Sequence, residues 1–220
     1  MTLADSLRKT LSIVGVFWAI KLFETLAGVS FSSFGIYPRD TEGLVGILSA
    51  PFLHGDFTHL ISNSIPFIVL GTSILFFYPR IAREVILIIY IFTGLGVWLF
   101  ARDSYHIGAS GVVYGFAAFL FFCGIFRKDF KSVTVSLVVA FLYGGLIYGV
   151  LPLHPGVSFE SHLIGALIGG ICAYGFRNVR EIDDDDEDEG YRHFNFHDEQ
   201  DGYRNIESDR YKYNYRERNR

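Results

Sequence analysis

Residues 106–115 read HIGASGVVYG and join a polar, glycine-rich loop directly to a long apolar segment. Ser110 therefore lies where a membrane helix is predicted to begin. The small residues Gly108 and Gly111 would let a carbonyl carbon approach the serine oxygen. The first N–H groups of a helix also lack partners within the helix, so an oxyanion formed beside Ser110 would meet free donors. Taken alone, the decapeptide is explained more simply as a tightly packed helix start, because short motifs often match by accident.

The composition places most of the chain in lipid. Half of its 220 residues are hydrophobic, which is too many for an ordinary soluble domain. A helix that crosses a bilayer needs about 20 mostly apolar residues, with a few fewer tolerated. Six segments fit: Leu11–Val29, His59–Phe77, Val85–Phe100, Ser110–Phe126, Val133–Leu151 and Ser161–Phe176. Because these segments are short, closely spaced and without the alternation of barrel strands, they predict an all-α membrane protein built as a six-helix bundle.

The distribution of lysine and arginine predicts the orientation, because these residues favour cytoplasmic loops. On one side of the membrane, the only basic residues in the predicted loops are Arg39 and Arg102. We therefore expect a multi-pass protein of the plasma (inner) membrane, with both termini in the cytoplasm and Ser110 near the outer side. The side assigned to the cytoplasm carries Arg8, Lys9, Arg80, Arg83, Arg127, Lys128, Lys131, Arg177 and Arg180.

The chain is predicted to have three parts: a short cytoplasmic lead (residues 1–10), the six-span core (residues 11–177) and a tail (residues 178–220). The tail begins with the acidic run Asp183–Glu189 and continues without an apolar period, so it is expected to be disordered in the cytoplasm. The first outer loop, Ser30–Gly55, is long and has its own apolar run. We expect this loop to lie on the outer leaflet or to dip into it.

Polar side chains recur in the first turns of the second, fourth and sixth predicted spans. His59 and Asn63 are four residues apart and share one helix face. Polar side chains at that depth are costly unless they face the interior of the bundle. Ser110 and His162 occupy early turns of the fourth and sixth spans, at the same predicted level. An accidental alignment of all four residues is improbable.

Two pairs of glycines are predicted to bring the fourth and sixth spans together. Such pairs, four residues apart, form small-residue faces that allow close helix contact. Close contact would deliver His162 to Ser110, with Tyr114 one turn further along, where its ring can pack against the imidazole. The pairs are Gly111 with Gly115 and Gly165 with Gly169.

Other polar residues have simpler interpretations. Several histidines near the outer face raise the question of a metal site, but neither a ligand motif nor a suitably placed carboxylate accompanies them, so we predict no metal and no cofactor. Lys21 and Glu24, three residues apart in the first span, are interpreted as a snorkelling ion pair. The histidines considered as metal ligands near the outer face are His54, His59, His106, His154 and His162.

Together, these segments resemble the rhomboid intramembrane serine proteases over roughly residues 30–170. Gly108-Ala109-Ser110-Gly111 is similar to the family's G-x-S-G nucleophile motif. Residues 59–63 are similar to its H-x-x-x-N oxyanion motif, and residues 162–169 to its H-x-x-G-x-x-x-G motif. Each motif is weak alone, but the ordered set is specific.

The resemblance implies that Ser110 is the nucleophile and His162 its base. No carboxylate is placed by sequence to orient His162, so a dyad is expected. The base must be neutral, and activity is therefore expected to fall as the pH drops through about 6 to 7. The resemblance further assigns the oxyanion donors His59 and Asn63, the stacking ring of Tyr114 and the supporting residues Gly108 and His54.

Two positions depart from the family pattern. Ser161 stands where the family often has alanine, a small change that is expected to alter helix packing without abolishing the chemistry. In the first long loop, Tyr37-Pro38-Arg39 replaces a Trp-Arg pair, which leaves the anchoring of this loop in the bilayer open.

The implied activity is hydrolysis of peptide bonds in or near the membrane-spanning segments of single-span membrane proteins. The expected partners are these substrates and the lipid bilayer, and no nucleic acid. A different class, a non-catalytic rhomboid-like protein that binds membrane clients, remains the main alternative, and a transporter lined by the polar residues is another. The sequence leaves the oligomeric state open.

Overall fold

The computed structural model describes residues 1–153, 156–179 and 181, and over this range the chain is helical. An isolated antiparallel bridge joins Ile36 to His106. Short 3₁₀ segments cover Ser32–Phe34, Glu42–Val45, Ala50–Phe52 and Gly144–Val150. The α-helices are α1 (Leu3–Ala27), α2 (Gly46–Ser49), α3 (Phe57–Phe77), α4 (Ala82–Phe100), α5 (Ser110–Arg127), α6 (Phe130–Tyr143) and α7 (Phe159–Gly175).

The predicted all-α membrane bundle is confirmed. Among the described residues, five helical segments are long and apolar enough to cross a membrane: α1, α3, α4, α5 and α6 extended to Val150. The sixth predicted span corresponds to α7, whose 17 residues extend over about 25 Å at 1.5 Å per residue. Although α7 is short, it packs along both α4 and α5 and is therefore an integral helix of the bundle.

α1 begins at Leu3, earlier than the predicted span at Leu11. Thr2 caps the helix, because its Oγ1 accepts the Asp5 N–H at 3.1 Å, a contact typically worth about 1 kcal/mol. Most of the predicted lead, residues 1–10, is therefore helical. The helix ends at Ala27 because Gly28 adopts a φ of 67°, which glycine enters without strain.

The fifth predicted span is not one continuous α-helix. α6 ends at Tyr143, and the chain continues as the 3₁₀ segment Gly144–Val150. Three glycines fall in this segment, and glycine is a poor helix former. The tighter winding turns the Gly149 carbonyl toward α7, where it contacts His162.

α5 is the central helix, since it packs against α3, α4, α6 and α7. Phe116, Phe119 and Leu120 of α5 are at most 1 % exposed and lie in the main hydrophobic core. In contrast, Phe130 and Phe141 of α6 are more than 80 % exposed. Exposed aromatic side chains on a membrane-length segment are expected to meet lipid tails, which are as apolar as they are.

The first outer loop packs closely on α4. A Cβ atom at Gly46 would lie 2.2 Å from the Ile36 nitrogen, so the loop folds tightly on itself. Arg39 donates to the Ala101 carbonyl at 2.7 Å and pairs with Asp103. The arginine of Tyr37-Pro38-Arg39 thus joins the loop to the end of α4. Contact of this loop with the bilayer stays a prediction.

Lys21 and Glu24 form the predicted ion pair at 3.4 Å, but the snorkelling interpretation is wrong because Glu24 is only 5 % exposed. Lys21 Nζ donates to the Gly55 carbonyl at 2.9 Å, and Glu24 Oε1 accepts the Phe31 N–H at 2.6 Å. The pair therefore joins α1 to the first outer loop and to the turn before α3.

Some of the sequence predictions concern residues that the structure does not describe. The predicted tail, residues 178–220, lies outside the described residues except for residues 178, 179 and 181. The same holds for His154. The division of the chain into lead, core and tail stays a prediction.

Candidate active site

Ser110 and His162 meet at the N-terminal ends of α5 and α7. Ser110 is the first residue of α5, and His162 lies in the first turn of α7. Ser110 Oγ and His162 Nε2 are 2.9 Å apart, which is hydrogen-bond distance. His162 is buried and Ser110 is half-buried. Two residues far apart in sequence thus form the serine–histidine contact that nucleophilic catalysis requires.

The hydrogen bond of His162 Nδ1 determines whether Nε2 donates to Ser110 or accepts from it. Nδ1 lies 2.8 Å from the Gly149 carbonyl oxygen. A carbonyl only accepts, so Nδ1 carries the proton in the neutral ring and Nε2 accepts the Ser110 hydroxyl. The ring of Tyr114 stacks on the imidazole, with centroids 4.0 Å apart and planes 4° from parallel. The imidazole is therefore oriented through both its edge and its face.

Glycines bring α5 and α7 into backbone contact. A Cβ atom at Gly165 would lie 1.9 Å from the Gly111 oxygen, and one at Gly169 would lie 2.1 Å from the Gly115 oxygen. Both distances are too short for real atoms, so a larger residue at Gly165 or Gly169 would push the helices apart. The structure thus brings together the two small-residue faces, directly after Ser110 and His162 in their helices.

Gly108 allows His59 to approach the loop before Ser110. A Cβ atom at Gly108 would lie 2.5 Å from His59 Nε2, and Gly108 has a φ of +106°, a region that favours glycine. The Gly55 N–H donates to His59 Nδ1 in a long contact of 3.5 Å. This arrangement leaves the proton on Nε2, the nitrogen that faces Gly108.

Asn63 lies one turn after His59 on α3 and is buried. Its Nδ2 donates to the His59 carbonyl at 2.8 Å, which assigns the amide orientation because a carbonyl only accepts. A second N–H remains on Nδ2 for another acceptor. Nearby, the N-cap of α5 is Ala109, which makes no side-chain cap. The first N–H groups of α5 are therefore open to an anion.

His54 is a buried histidine beside His59. Its ring lies 5.1 Å from the His59 ring and 5.4 Å from the Phe17 ring, measured between centroids. Within the described part of the chain, neither of its ring nitrogens has a hydrogen-bond partner. Burial lowers the pKa of His54 to about 4, and the neighbouring His59 adds to the effect. His54 is therefore neutral at physiological pH and supports the site by packing.

Sequence analysis did not find two residues that contact the site or its helices. The Gly149 carbonyl orients His162, and no sequence signal identifies a backbone carbonyl of this kind. His106 was considered only as a metal ligand, yet its Nδ1 lies 2.7 Å from Ser158 Oγ at the N-cap of α7. A serine just before an apolar run is a helix-capping signal, so Ser158 was the available indication.

The charged groups near His162 do not form a catalytic triad. Glu160 Oε1 faces Arg102 Nε at 3.6 Å, while the Nδ1 atom of His162 faces a carbonyl. Residues 1–153, 156–179 and 181 contain no group of three or more His, Cys, Asp or Glu side chains that could hold a metal ion. The residues brought together are thus suited to acyl transfer by serine and histidine.

Comparison with known proteins identifies the family. The family model described as the Rhomboid domain matches residues 41–179. The chain belongs to the rhomboid family. It is therefore an integral, multi-pass membrane protein from a family of intramembrane proteases.

Similar relatives of this rhomboid chain occur in mycobacteria. Uncharacterised proteins of Mycobacterium bovis and Mycobacterium tuberculosis are each 38% identical over 175 residues, which cover 74% of this chain and 72% of the relative. An uncharacterised protein of Mycobacterium leprae is 34% identical over 173 residues, which cover 74% of this chain and 68% of the relative. Because these relatives are uncharacterised, they add neither an activity nor a substrate.

Proposed function

We propose that this rhomboid chain is an intramembrane serine endopeptidase with a Ser110–His162 dyad. The observation that carries the proposal is the 2.9 Å contact between Ser110 Oγ and His162 Nε2, combined with the 2.8 Å contact between His162 Nδ1 and the Gly149 carbonyl. Together they leave Nε2 free of a proton and directed at the serine hydroxyl. This is the arrangement that a general base requires.

In the acylation step, His162 Nε2 takes the hydroxyl proton as Ser110 Oγ bonds to the scissile carbonyl carbon. The resulting imidazolium keeps its Nδ1–H on the Gly149 carbonyl, which stabilises the new positive charge. His162 then gives the proton to the leaving amine, and the C–N bond breaks. Water next loses a proton to His162 and attacks the acyl carbon. His162 then gives that proton to Ser110 Oγ as the ester C–O bond breaks, which releases the carboxylic acid and restores the free Ser110 hydroxyl.

The oxyanion of each tetrahedral intermediate is assigned to donors beside Ser110. His59 Nε2–H faces the Gly108 position, and the Asn63 amide has an unused N–H. The open N–H groups at the start of α5 add backbone donors. Removal of one such donor typically lowers kcat by about 100- to 1,000-fold. His59 and Asn63 are therefore proposed as oxyanion-stabilising residues.

The substrate class is a single-span membrane protein cleaved in or near its membrane helix. Exposed apolar side chains cover the outside of the bundle, so a substrate helix would reach the site from lipid. The site lies at the ends of α5 and α7 that the positive-inside rule places outside. Plasma (inner) membrane localisation with cytoplasmic termini is part of the same proposal.

The orientation has a direct test. Both native cysteines, Cys123 and Cys172, are buried, so background labelling by a membrane-impermeant maleimide should be low. In intact cells, Tyr105→Cys should label and Arg83→Cys should not. The reverse pattern would refute the proposed orientation.

The activity is tested on the purified full chain in detergent with a fluorophosphonate probe and a model single-span substrate. The unmodified protein should label and cleave, Ser110→Ala should do neither, and His162→Ala should be severely impaired. Ser73→Ala is the matched control, because the Ser73 hydroxyl donates to the Val69 carbonyl of its own helix. If the folded, unmodified protein neither labels nor cleaves several substrates, the client-binding alternative is favoured.

A further inference from the structure

His106 connects three segments near the dyad. It lies in the loop between α4 and α5 and is 3 % exposed. Its backbone exchanges two hydrogen bonds with Ile36 of the first outer loop, at 2.8 and 3.0 Å. Its Nδ1 lies 2.7 Å from Ser158 Oγ at the start of α7, and its Nε2 lies 3.0 Å from the Arg102 carbonyl. A buried side chain with both ring nitrogens bonded is held in one orientation.

The partners of His106 determine the direction of these hydrogen bonds. The Arg102 carbonyl only accepts, so Nε2 donates and Nδ1 of the neutral ring is an acceptor. The Ser158 hydroxyl must then donate to Nδ1. Ser158 Oγ in turn lies 2.6 Å from Ser161 Oγ, so Ser161 donates to it. A one-directional relay therefore runs from Ser161 through Ser158 to His106 and the Arg102 carbonyl.

The two ends of the relay adjoin the two catalytic candidates. Ser161 immediately precedes His162, and its carbonyl packs on Gly111, where a Cβ atom would lie 3.1 Å away. His106 lies four residues before Ser110 in the loop that leads to α5. The relay thus ties the residue before the base to the loop before the nucleophile, independently of the glycine contacts between α5 and α7.

We propose that His106, Ser158 and Ser161 are positioning residues that hold the start of α7 against the nucleophile loop and so set the Ser110–His162 distance. The proposal rests on the proposed protease function. It also accounts for Ser161, which departs from the alanine of the family pattern. Alanine would preserve the helix and its packing, whereas the serine hydroxyl completes the relay.

Kinetics of the purified full chain distinguish positioning from simple helix capping. Ser161→Ala keeps the backbone N–H that donates to Ser158 Oγ at 3.3 Å and removes only the hydroxyl link. Ser161→Ala and His106→Leu should each lower kcat on the order of tenfold, with little change in KM, because small misplacements of reacting groups are costly. Melting temperature should fall little in Ser161→Ala.

Two further variants test the relay itself. His106→Asn places an acceptor near the position of Nδ1 and should recover part of the kcat that His106→Leu loses. In the double variant His106→Leu/Ser161→Ala the losses should not multiply, since both break one relay. The matched control is Ser104→Ala, because Ser104 Oγ lies at 3.4 Å on the Nε2 side of the same ring, outside the relay.

The ¹⁵N chemical shifts of His106 test the relay without any measurement of proteolysis. In the full chain with ¹⁵N-labelled histidine in detergent micelles, the His106 signal, assigned by its loss in His106→Asn, should show the Nε2-protonated tautomer. Its Nδ1 shift should change in Ser158→Ala. A proton on Nδ1, or unchanged kcat in Ser161→Ala and His106→Leu, overturns the proposal while the protease stands. Absence of all activity in the unmodified chain removes the protease, and the positioning role with it.

Discussion

The two halves of the candidate site are held together in different ways. Ser110 and His162 meet because α5 and α7 touch backbone to backbone, with Gly111 and Gly115 against Gly165 and Gly169. His59, on α3, is instead supported by side chains of α1. Phe17 packs on His54, and Lys21 donates a hydrogen bond to the Gly55 carbonyl. His54 and Gly55 both lie in the turn that leads into α3.

This difference predicts two kinds of response to substitution. A backbone contact cannot be relieved by a side-chain rotation, because the carbonyls of α5 and α7 move only when the helices that carry Ser110 and His162 move. A side-chain contact has alternatives, since rotamers and neighbouring groups can adjust. Changes in the dyad half should therefore reduce catalysis directly, whereas changes in the α1 side chains that support the His59 half should first reduce stability.

The largest effect is expected from Gly165→Ala. The added Cβ atom would lie 1.9 Å from the Gly111 carbonyl oxygen, so α7 must move away from α5 and carry His162 with it. Because a shift of about 1 Å can cost on the order of 100-fold in rate, kcat/KM should fall at least that much. The control is Gly175→Ala on the same helix, where nothing lies within 4 Å of the added atom. Equal activity of the two variants would contradict the backbone-contact argument.

In the His59 half, Lys21→Met should lower the free energy of unfolding by about 2 kcal/mol, because it leaves Glu24 buried without its cation. This is less than the roughly 3–5 kcal/mol of a fully buried pair, since the Lys21 side chain is 15 % exposed. The measurement is denaturant unfolding in detergent. Lys9→Met is the control, since Lys9 is an exposed residue of the same helix. The double variant Lys21→Met/Glu24→Gln should recover part of the loss. If Lys21→Met matches Lys9→Met, the pair does not support the turn before α3.

In the dyad half, Gly149→Ala tests the contact between His162 and the 3₁₀ segment after α6. Its Cβ atom would meet the Tyr114 hydroxyl at 1.8 Å and His162 Nδ1 at 3.2 Å. The tyrosine hydroxyl is the far end of a side chain and can move, so we expect only about a tenfold loss of kcat, less than the roughly 100- to 10,000-fold that general acid–base catalysis typically contributes. Gly145→Ala, with open space around it, should be unchanged. A similar loss in both variants would point to the segment's backbone rather than to the His162 contact.

Pattern and spacing were sufficient to predict the helical membrane fold and the approach of His162 to Ser110. Apolar length marks the spans, and glycines four residues apart mark a face where two helices can touch. The contact between Ser110 and His162 follows from these two local signals. The roles of nucleophile and base, in contrast, came from the resemblance to the rhomboid proteases and belong to the proposed function.

The remaining features depend on tertiary contacts that no local pattern encodes. The Gly149 carbonyl reaches His162 only because α6 changes to 3₁₀ winding at Gly144, which the predicted continuous span did not include. Lys21 and Glu24 have the spacing of a surface ion pair, and their burial depends on loops folded over α1. His106 bonds to Ser158 across a distance of 52 residues in sequence.

The smallest effect is expected from protonation of His54, which belongs to the His59 half. Its pKa in the folded protein is about 4, against an ordinary value of 6.5, because it is buried. The unfolded chain thus binds the proton more readily, so stability is fully present above pH 6.5 and is lost as the pH falls from 6.5 toward 4. From this residue alone, the loss at pH 6 should be about 1 kcal/mol.

The measurement is denaturant unfolding at pH 7.5 and pH 6, for the unmodified chain and for His54→Gln. The glutamine variant should be less stable at pH 7.5, because its amide would be buried in the same apolar contact with Phe17, but it should lose less stability between the two pH values. The difference between the two chains isolates His54 from the other histidines. An identical pH dependence would show that His54 protonates without opening its contact, and the side-chain support of His59 would then have no pH-sensitive component at this residue.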